Sequence, residues 1–111
     1  SEKMAMGYLF DGKVTMFVGT HTHVPTSDHR IMEKGTAYQT DVGMCGDYNS
    51  VIGMNRDNSL KKFFKDPAAK KHYPALGEGT ISGLMVVADN KTGLANKVEP
   101  IVLGKNLENR I

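Results

Sequence analysis

Hydrophobic positions along the chain form two patterns of helical spacing and several strand-like runs. Two segments repeat apolar residues at the spacing of one helix face, which predicts two short amphipathic helices. The predicted apolar faces are Met4, Ala5, Tyr8 and Leu9 within residues 1–10, and Leu60, Phe63 and Phe64 in the second segment. Asp11-Gly12 and Asp66-Pro67 supply the residues that end helices. Each predicted helix therefore has a local stop signal.

The strand-like runs predict a buried strand and two hairpins. Val14 to Val18 is almost continuously apolar, as in a strand covered on both faces, so we expect it at the centre of a sheet. Lys34-Gly35-Thr36 and the segment from Asn90 to Gly93 are connections typical of hairpins. Residues 42–54 and 68–79 are interpreted as a long loop and a linker.

Composition narrows the class of protein. The chain has 111 residues, 40% of them hydrophobic and 23% charged, which is typical of one globular domain. No apolar run approaches the length of a membrane span. The net charge of +2 is too small and too scattered for a specific nucleic-acid binder. Cys45 is the only cysteine, so no internal disulfide can form and a cytoplasmic location is expected.

The candidate chemistry lies in His21-Thr22-His23, directly after the predicted buried strand. In an extended backbone, residues two apart point to the same side, and neutral imidazole is the commonest metal ligand in proteins. The alternative is two exposed histidines on a loop, because two ligands do not complete a metal site. Of the other histidines, His72 in the linker is interpreted as solvated.

Four spaced motifs together resemble a known family. The segment from Val18 to Thr26 resembles the last metal-binding motif, glycine and then His-x-His, of the calcineurin-like metallophosphoesterases. More specifically, four motifs occur in the order found in the YmdB-type bacterial branch of that superfamily. They are Gly19-Thr20-His21-Thr22-His23-Val24, Gly35-Thr36-Ala37-Tyr38, Thr40-Asp41-Val42-Gly43-Met44 and Gly53-Met54. The opening Ser1-Glu2-Lys3 resembles the segment after that branch's preceding metal histidine. The resemblance reaches about Phe64 and weakens beyond it.

The resemblance implies an α+β fold, a four-layer αββα sandwich with mixed β-sheets, of which residues 1–111 would be the C-terminal part. It implies two divalent or trivalent transition-metal ions, with iron or manganese expected, where His21 would bind one ion and His23 the other. The implied reaction is hydrolysis of small-molecule phosphodiesters, in particular cyclic nucleotides of the 2',3'-cyclic type.

The remaining ligands and the acid that protonates the leaving group belong to the family segment that would precede Ser1. Asp28, His29 and Asp41 are the only nearby groups of suitable chemistry. We interpret Asp28 as a turn residue, His29 as exposed, and Asp41 as the residue that ends a strand and orders the glycine loop.

Two functional hypotheses remain at this point. In the first, the chain is part of the enzyme, and the isolated chain is expected to be inactive. It is also expected to need the missing N-terminal half, or a second copy paired through sheet edges, to cover its sheet. The alternative is a non-catalytic module that retains a remnant of the fold and binds a metal or a partner.

Overall fold

The computed structural model of the chain describes all residues from Ser1 to Ile111. The chain contains both helices and strands, and one of its sheets is mixed. Both findings agree with the predicted α+β fold with mixed β-sheets. In chain order the elements are α1 (Glu2–Phe10), β1 (Met16–Val18), β2 (Arg30–Ile31), β3 (Ala37–Gln39), α2 (Arg56–Phe63), β4 (Thr80–Ala88) and β5 (Ala95–Gly104).

The first sheet has the strand order β1-β3-β2. The pairing of β1 with β3 is parallel, and that of β2 with β3 is antiparallel. The hairpin predicted around Gly35 is confirmed, and this glycine adopts the left-handed φ of 103° that the connection requires. The central position predicted for Val14 to Val18 is wrong for this chain. Here β1 pairs on one side only, and the fully buried β3 occupies the centre.

The second sheet is the hairpin of β4 and β5, as predicted. Asp89 organises its turn, because its carboxylate accepts hydrogen bonds from the backbone N–H groups of Lys91 and Thr92, at 2.7 and 3.0 Å. Pro100 lies in β5, whose only partner strand is β4; its other edge carries a single bridge, between Val102 and Arg110. The predicted location of Pro100 on an edge strand is therefore confirmed.

The helix α1 packs through its smallest residue and not through the apolar face that its spacing predicts. Gly7 is the buried residue of α1, and a Cβ atom added there would lie 2.5 Å from Cε1 of Tyr38. Tyr8 and Leu9, on the predicted buried face, are exposed. Because Gly7 has no side chain, the backbone of α1 can approach Tyr38 of β3 closely. The side of the helix that carries Gly7 is therefore the buried one.

The helix α2 is also turned opposite to expectation. Asn55 caps it by accepting a 3.0 Å hydrogen bond from the N–H of Asn58. Asn58 and Ser59 are buried, whereas Phe63 and Phe64 are 78% and 83% exposed. The side chain of Asn58 donates one hydrogen bond to the following linker and accepts another from it, and these bonds hold this polar side inward.

The buried core is small for the chain's length. Only 14 of the 111 residues are buried, and the apolar ones are Met32, Ala37, Tyr38, Ala95 and Val102. The radius of gyration is 17.2 Å, against about 13 Å for a compact domain of about 100 residues. Neither helix is long and apolar enough to cross a bilayer. Much of the apolar surface of the chain is thus left without intramolecular cover.

Candidate functional site

The candidate site lies where the parallel strands β1 and β3 end side by side. Gly19 donates its N–H to the carbonyl of Gln39, and Val42 donates to the carbonyl of Gly19, both at 3.0 Å. A Cβ atom on Gly19 would lie 2.0 Å from the carbonyl oxygen of Thr40. The glycine of the motif is therefore required by the close approach of two chain segments, which places the histidine loop beside the exit of β3.

The two histidines do not continue the strand. His21 has a φ of 104° and His23 a φ of 69°, so both lie in the left-handed region that disfavours side chains. The premise that an extended backbone aligns them is wrong. His21 is exposed and His23 is half-buried.

Asp41 holds this loop in its turned conformation. Its buried carboxylate accepts hydrogen bonds from the N–H and the hydroxyl of Thr22, both at 2.7 Å, and from the N–H of Gly43 at 2.9 Å. The ammonium of Lys3 lies 3.4 Å away. The interpretation of Asp41 as the residue that orders the glycine loop is confirmed, and its contacts extend to the loop of the histidines.

The same contacts set the charge state of Asp41. Burial acts to raise the pKa of its carboxyl group, but hydrogen bonds from Thr22 and Gly43 and the contact with Lys3 outweigh burial and lower the pKa below its ordinary value. The carboxylate is thus ionised at neutral pH, when it is the stronger acceptor for these donors.

The imidazole of His23 is fixed by one hydrogen bond. Its Nδ1 lies 2.7 Å from the carbonyl oxygen of Ile52, and a carbonyl can only accept, so Nδ1 carries the proton. In the neutral ring, Nε2 then holds the free lone pair. Metal-ligating histidines commonly have their second nitrogen held in this way. The arrangement of His23 therefore fits a metal ligand.

Backbone strain is concentrated at this site. The chain has five residues other than glycine with a positive φ. Three of them are His21, His23 and Ile52, the two motif histidines and the residue whose carbonyl holds one of them. Such conformations cost free energy and cluster at functional sites, which favours a functional role for this loop.

Asp28 and His29 are close to the loop without completing a ligand set. Asp28 accepts hydrogen bonds from the hydroxyls of Thr40 at 2.5 Å and Thr26 at 2.7 Å and from the N–H of Thr40 at 3.1 Å. These bonds fasten its loop to the residue after β3 and form no local turn, so the interpretation of Asp28 as a turn residue is not confirmed. Burial acts to raise the pKa of Asp28, but these bonds lower it. The prediction that His29 is exposed is wrong, since it is half-buried and its Nδ1 has no hydrogen-bond partner.

The chain brings together only part of a metal-binding set. No group of three or more His, Cys, Asp or Glu side chains is arranged to hold an ion. His21 and His23 are therefore at most two ligands of a larger set.

A cavity of about 540 Å³ lies directly beside His23. Its walls come from the histidine loop, the glycine loop, α2 and the linker: His23, Val51, Ile52, Met54, Ser59, Lys62, Phe63 and His72. His72 is exposed as predicted, but the sequence did not indicate that it lines a cavity shared with His23. Local spacing carries no signal for this juxtaposition, because the two residues are far apart in sequence.

The linker is positioned at the cavity by hydrogen bonds on both sides of His72. The amide side chain of Asn58 donates to the carbonyl of Lys70 at 3.1 Å and accepts from its N–H at 2.8 Å. The N–H of Asn55 donates to the carbonyl of Tyr73 at 2.8 Å. The polar buried side of α2 thus has a structural purpose, to hold the linker that forms one wall of the cavity.

Comparison with known proteins gives one family. The family model described as YmdB-like protein matches residues 1–101, which extends well beyond the motifs that carried the resemblance. The 2',3'-cyclic-nucleotide 2'-phosphodiesterase of Bacillus subtilis (strain 168) is 46% identical over 103 residues, which are 93% of this chain and 39% of that protein. The chain therefore spans about two fifths of that curated relative.

Two solved structures resemble the chain. The crystal structure of a novel phosphatase from Mycoplasma pneumoniae superposes with a TM-score of 0.84 at 40% identity, over 93% of this chain and 37% of that one. A hypothetical protein from Thermus thermophilus gives a TM-score of 0.82 at 36% identity, over 95% and 40%. The fold of the chain is thus that of a segment of both proteins.

Proposed function

This chain belongs to the YmdB-like protein family, and we propose that it is the C-terminal part of a metal-dependent phosphodiesterase that hydrolyses cyclic nucleotides of the 2',3'-cyclic type. The relative from Bacillus subtilis, 46% identical, bears the name of such an enzyme. The observation that carries the proposal is the strained His21-Thr22-His23 loop, with Asp41 holding its middle and Ile52 orienting the ring of His23.

In this proposal His21 and His23 each bind one of two transition-metal ions, iron or manganese. Imidazole ligation suits either metal. When bound, two such ions would lower the pKa of a water molecule, so that it can act as the nucleophile, and would stabilise negative charge on the phosphate. This chain contributes orientation, because Ile52 fixes the tautomer of His23 and Asp41 fixes the loop that carries both rings.

The remaining parts of the reaction are assigned to residues outside this chain. Hydrolysis breaks the bond from phosphorus to one ester oxygen, and that oxygen must receive a proton. The chain spans 39% of the Bacillus subtilis relative, so we assign the other ligands and the proton donor to the other part of the protein. The proposed whole is a four-layer αββα sandwich, located in the cytoplasm.

A second candidate function follows from the incomplete ligand set. Because no three ligand side chains of this chain converge, the chain could serve as a non-catalytic module that binds one metal or a partner. Turnover by the full-length protein separates the two functions.

The test is hydrolysis of 2',3'-cyclic AMP by the full-length protein, with added manganese or iron and again with a chelator. We expect turnover with metal, its loss with chelator, and a decrease of about 100-fold or more in His21→Ala and His23→Ala, by analogy with the loss of one group that stabilises a transition state. Absence of turnover in the wild type under every metal condition would support the non-catalytic module instead.

A further inference from the structure

We propose that the cavity between the histidine loop and α2 binds the nucleobase of the substrate, with Phe63 stacking on the base. The inference rests on the proposed function, because it takes the substrate phosphate to bind at His23. The ring of His23 belongs to both the candidate metal site and the cavity wall. A phosphate at His23 and a base in the cavity would therefore be neighbouring parts of one ligand.

The size and lining of the cavity suit a nucleobase. Its volume of about 540 Å³ lies within the range of about 300–1,000 Å³ that is common for small-molecule sites. Val51, Ile52 and Met54 form an apolar wall, as planar aromatic ligands require. A bare phosphate or a metal ion would leave most of this volume unfilled.

Phe63 is the aromatic ring of the cavity. It is 78% exposed, because α2 directs Asn58 and Ser59 toward the protein instead. An exposed phenylalanine at the wall of a cavity is a stacking surface, and stacking between bases and aromatic side chains is strong and tolerant of base identity. The adjacent Phe64 is similarly exposed, at 83%, but does not line the cavity.

The charge around the cavity also suits a nucleotide. Lys62 and His72 lie in its wall, and no carboxylate does. The ammonium of Lys62 lies 3.3 Å from the carbonyl of Lys70, so it remains close to the linker at this wall. The ammonium of Lys62 attracts an anionic ligand such as a nucleotide, whereas a purely apolar peptide would gain nothing from it.

The test compares binding of adenosine 3'-phosphate and ribose 3-phosphate to the metal-loaded full-length protein by calorimetry. We expect the nucleotide to bind more tightly than the sugar phosphate, and Phe63→Ala to weaken nucleotide binding about 10-fold while sugar phosphate binding is unchanged. The matched control, Phe64→Ala, should bind both ligands like the wild type.

Thermal unfolding of each variant confirms that a loss of binding is not a loss of fold. Equal nucleotide affinity of Phe63→Ala and Phe64→Ala, or a nucleotide that binds no better than the sugar phosphate, would overturn the proposed base pocket. This result is distinct from failure of the proposed function, which would appear as absence of hydrolysis by the wild type. Selective loss of nucleotide binding in Phe63→Ala would support the pocket whether or not hydrolysis is seen.

Discussion

At the scale of single residues, the conformation of the histidine loop depends on Asp41. In this loop His21 and His23 both have left-handed backbone, which costs free energy. The buried carboxylate of Asp41 holds the loop in this conformation, because it accepts two hydrogen bonds from Thr22, which lies between the histidines. Hydrogen bonds to an ionised acceptor are stronger than neutral ones. Asp41 therefore supplies a positioning function for His21 and His23 without being assigned as a ligand.

Asp41→Asn should destabilise the protein by about 1–3 kcal/mol, the usual cost when buried polar groups lose their partners. Oδ1 of Asp41 faces the N–H of Gly43 and Oδ2 faces both donors of Thr22. An amide in either orientation would set its own N–H groups against one of them. Denaturant unfolding of the full-length protein measures the loss. Asp89→Asn is the matched control, because Asp89 also accepts hydrogen bonds in a turn but lies in the β4–β5 hairpin. An equal loss of unfolding free energy in both variants would contradict a special role for Asp41.

The same variant has an expected pH signature. The folded-state pKa of Asp41 is lowered from its ordinary 3.8, so its stabilising contribution is fully present above that value and is lost as pH falls through the lower folded pKa. Asp41→Asn should therefore show a shallower loss of stability on the acid side than the wild type. Parallel acid profiles of the two proteins would contradict this role of the carboxylate.

At the scale of elements, the sequence predicts turns and helix ends better than it predicts buried faces. The hairpins around Gly35 and Gly93 and the end of α1 at Asp11-Gly12 follow from local backbone chemistry, and the structure contains all of them. The buried side of each helix was mispredicted, because periodicity identifies an apolar face but not what covers it. The left-handed turn at His21 was also missed, since the bond that holds it comes from 19 residues downstream.

Gly7→Ala tests the contact between α1 and β3. Alanine raises helix propensity by about 1 kcal/mol, but the new Cβ would lie 2.5 Å from the ring of the fully buried Tyr38. Overpacking typically costs about 1–3 kcal/mol, so we expect a net loss of stability. Gly83→Ala in β4 is the control, because a Cβ there meets nothing within 4 Å. Thermal unfolding that shows Gly7→Ala to be as stable as the wild type would contradict this packing.

At the scale of the whole molecule, the chain has more apolar surface than it can cover. Its radius of gyration is 17.2 Å, and β1 has no partner on one side. Exposed apolar side chains outside the cavity and an unpaired strand edge recruit further protein. Because the chain spans 37% to 40% of its structural relatives, the remainder of such a protein is the natural cover.

The isolated 111-residue chain should therefore not behave as a stable monomer, and it should not hydrolyse cyclic nucleotides. Light scattering during gel filtration and thermal unfolding on the same sample measure the first point, and turnover with manganese or iron measures the second. We expect association or a weak, concentration-dependent transition, and no turnover. A clean 12.2 kDa monomer with a cooperative transition independent of concentration would favour the non-catalytic module.

The metal content of the purified full-length protein and its histidine variants tests most directly whether His21 and His23 are metal ligands. If His21 and His23 each bind one ion, His21→Ala and His23→Ala should each lose bound iron or manganese. In the presence of a chelator, the unfolding midpoints of both variants should stay close to that of the equally metal-free wild type, because bound metal would itself stabilise the folded state. His72→Ala is the control, because His72 lines the cavity but is not assigned as a ligand. It should keep the full metal content. Wild-type metal content in both His21→Ala and His23→Ala would contradict the assignment of these histidines as ligands.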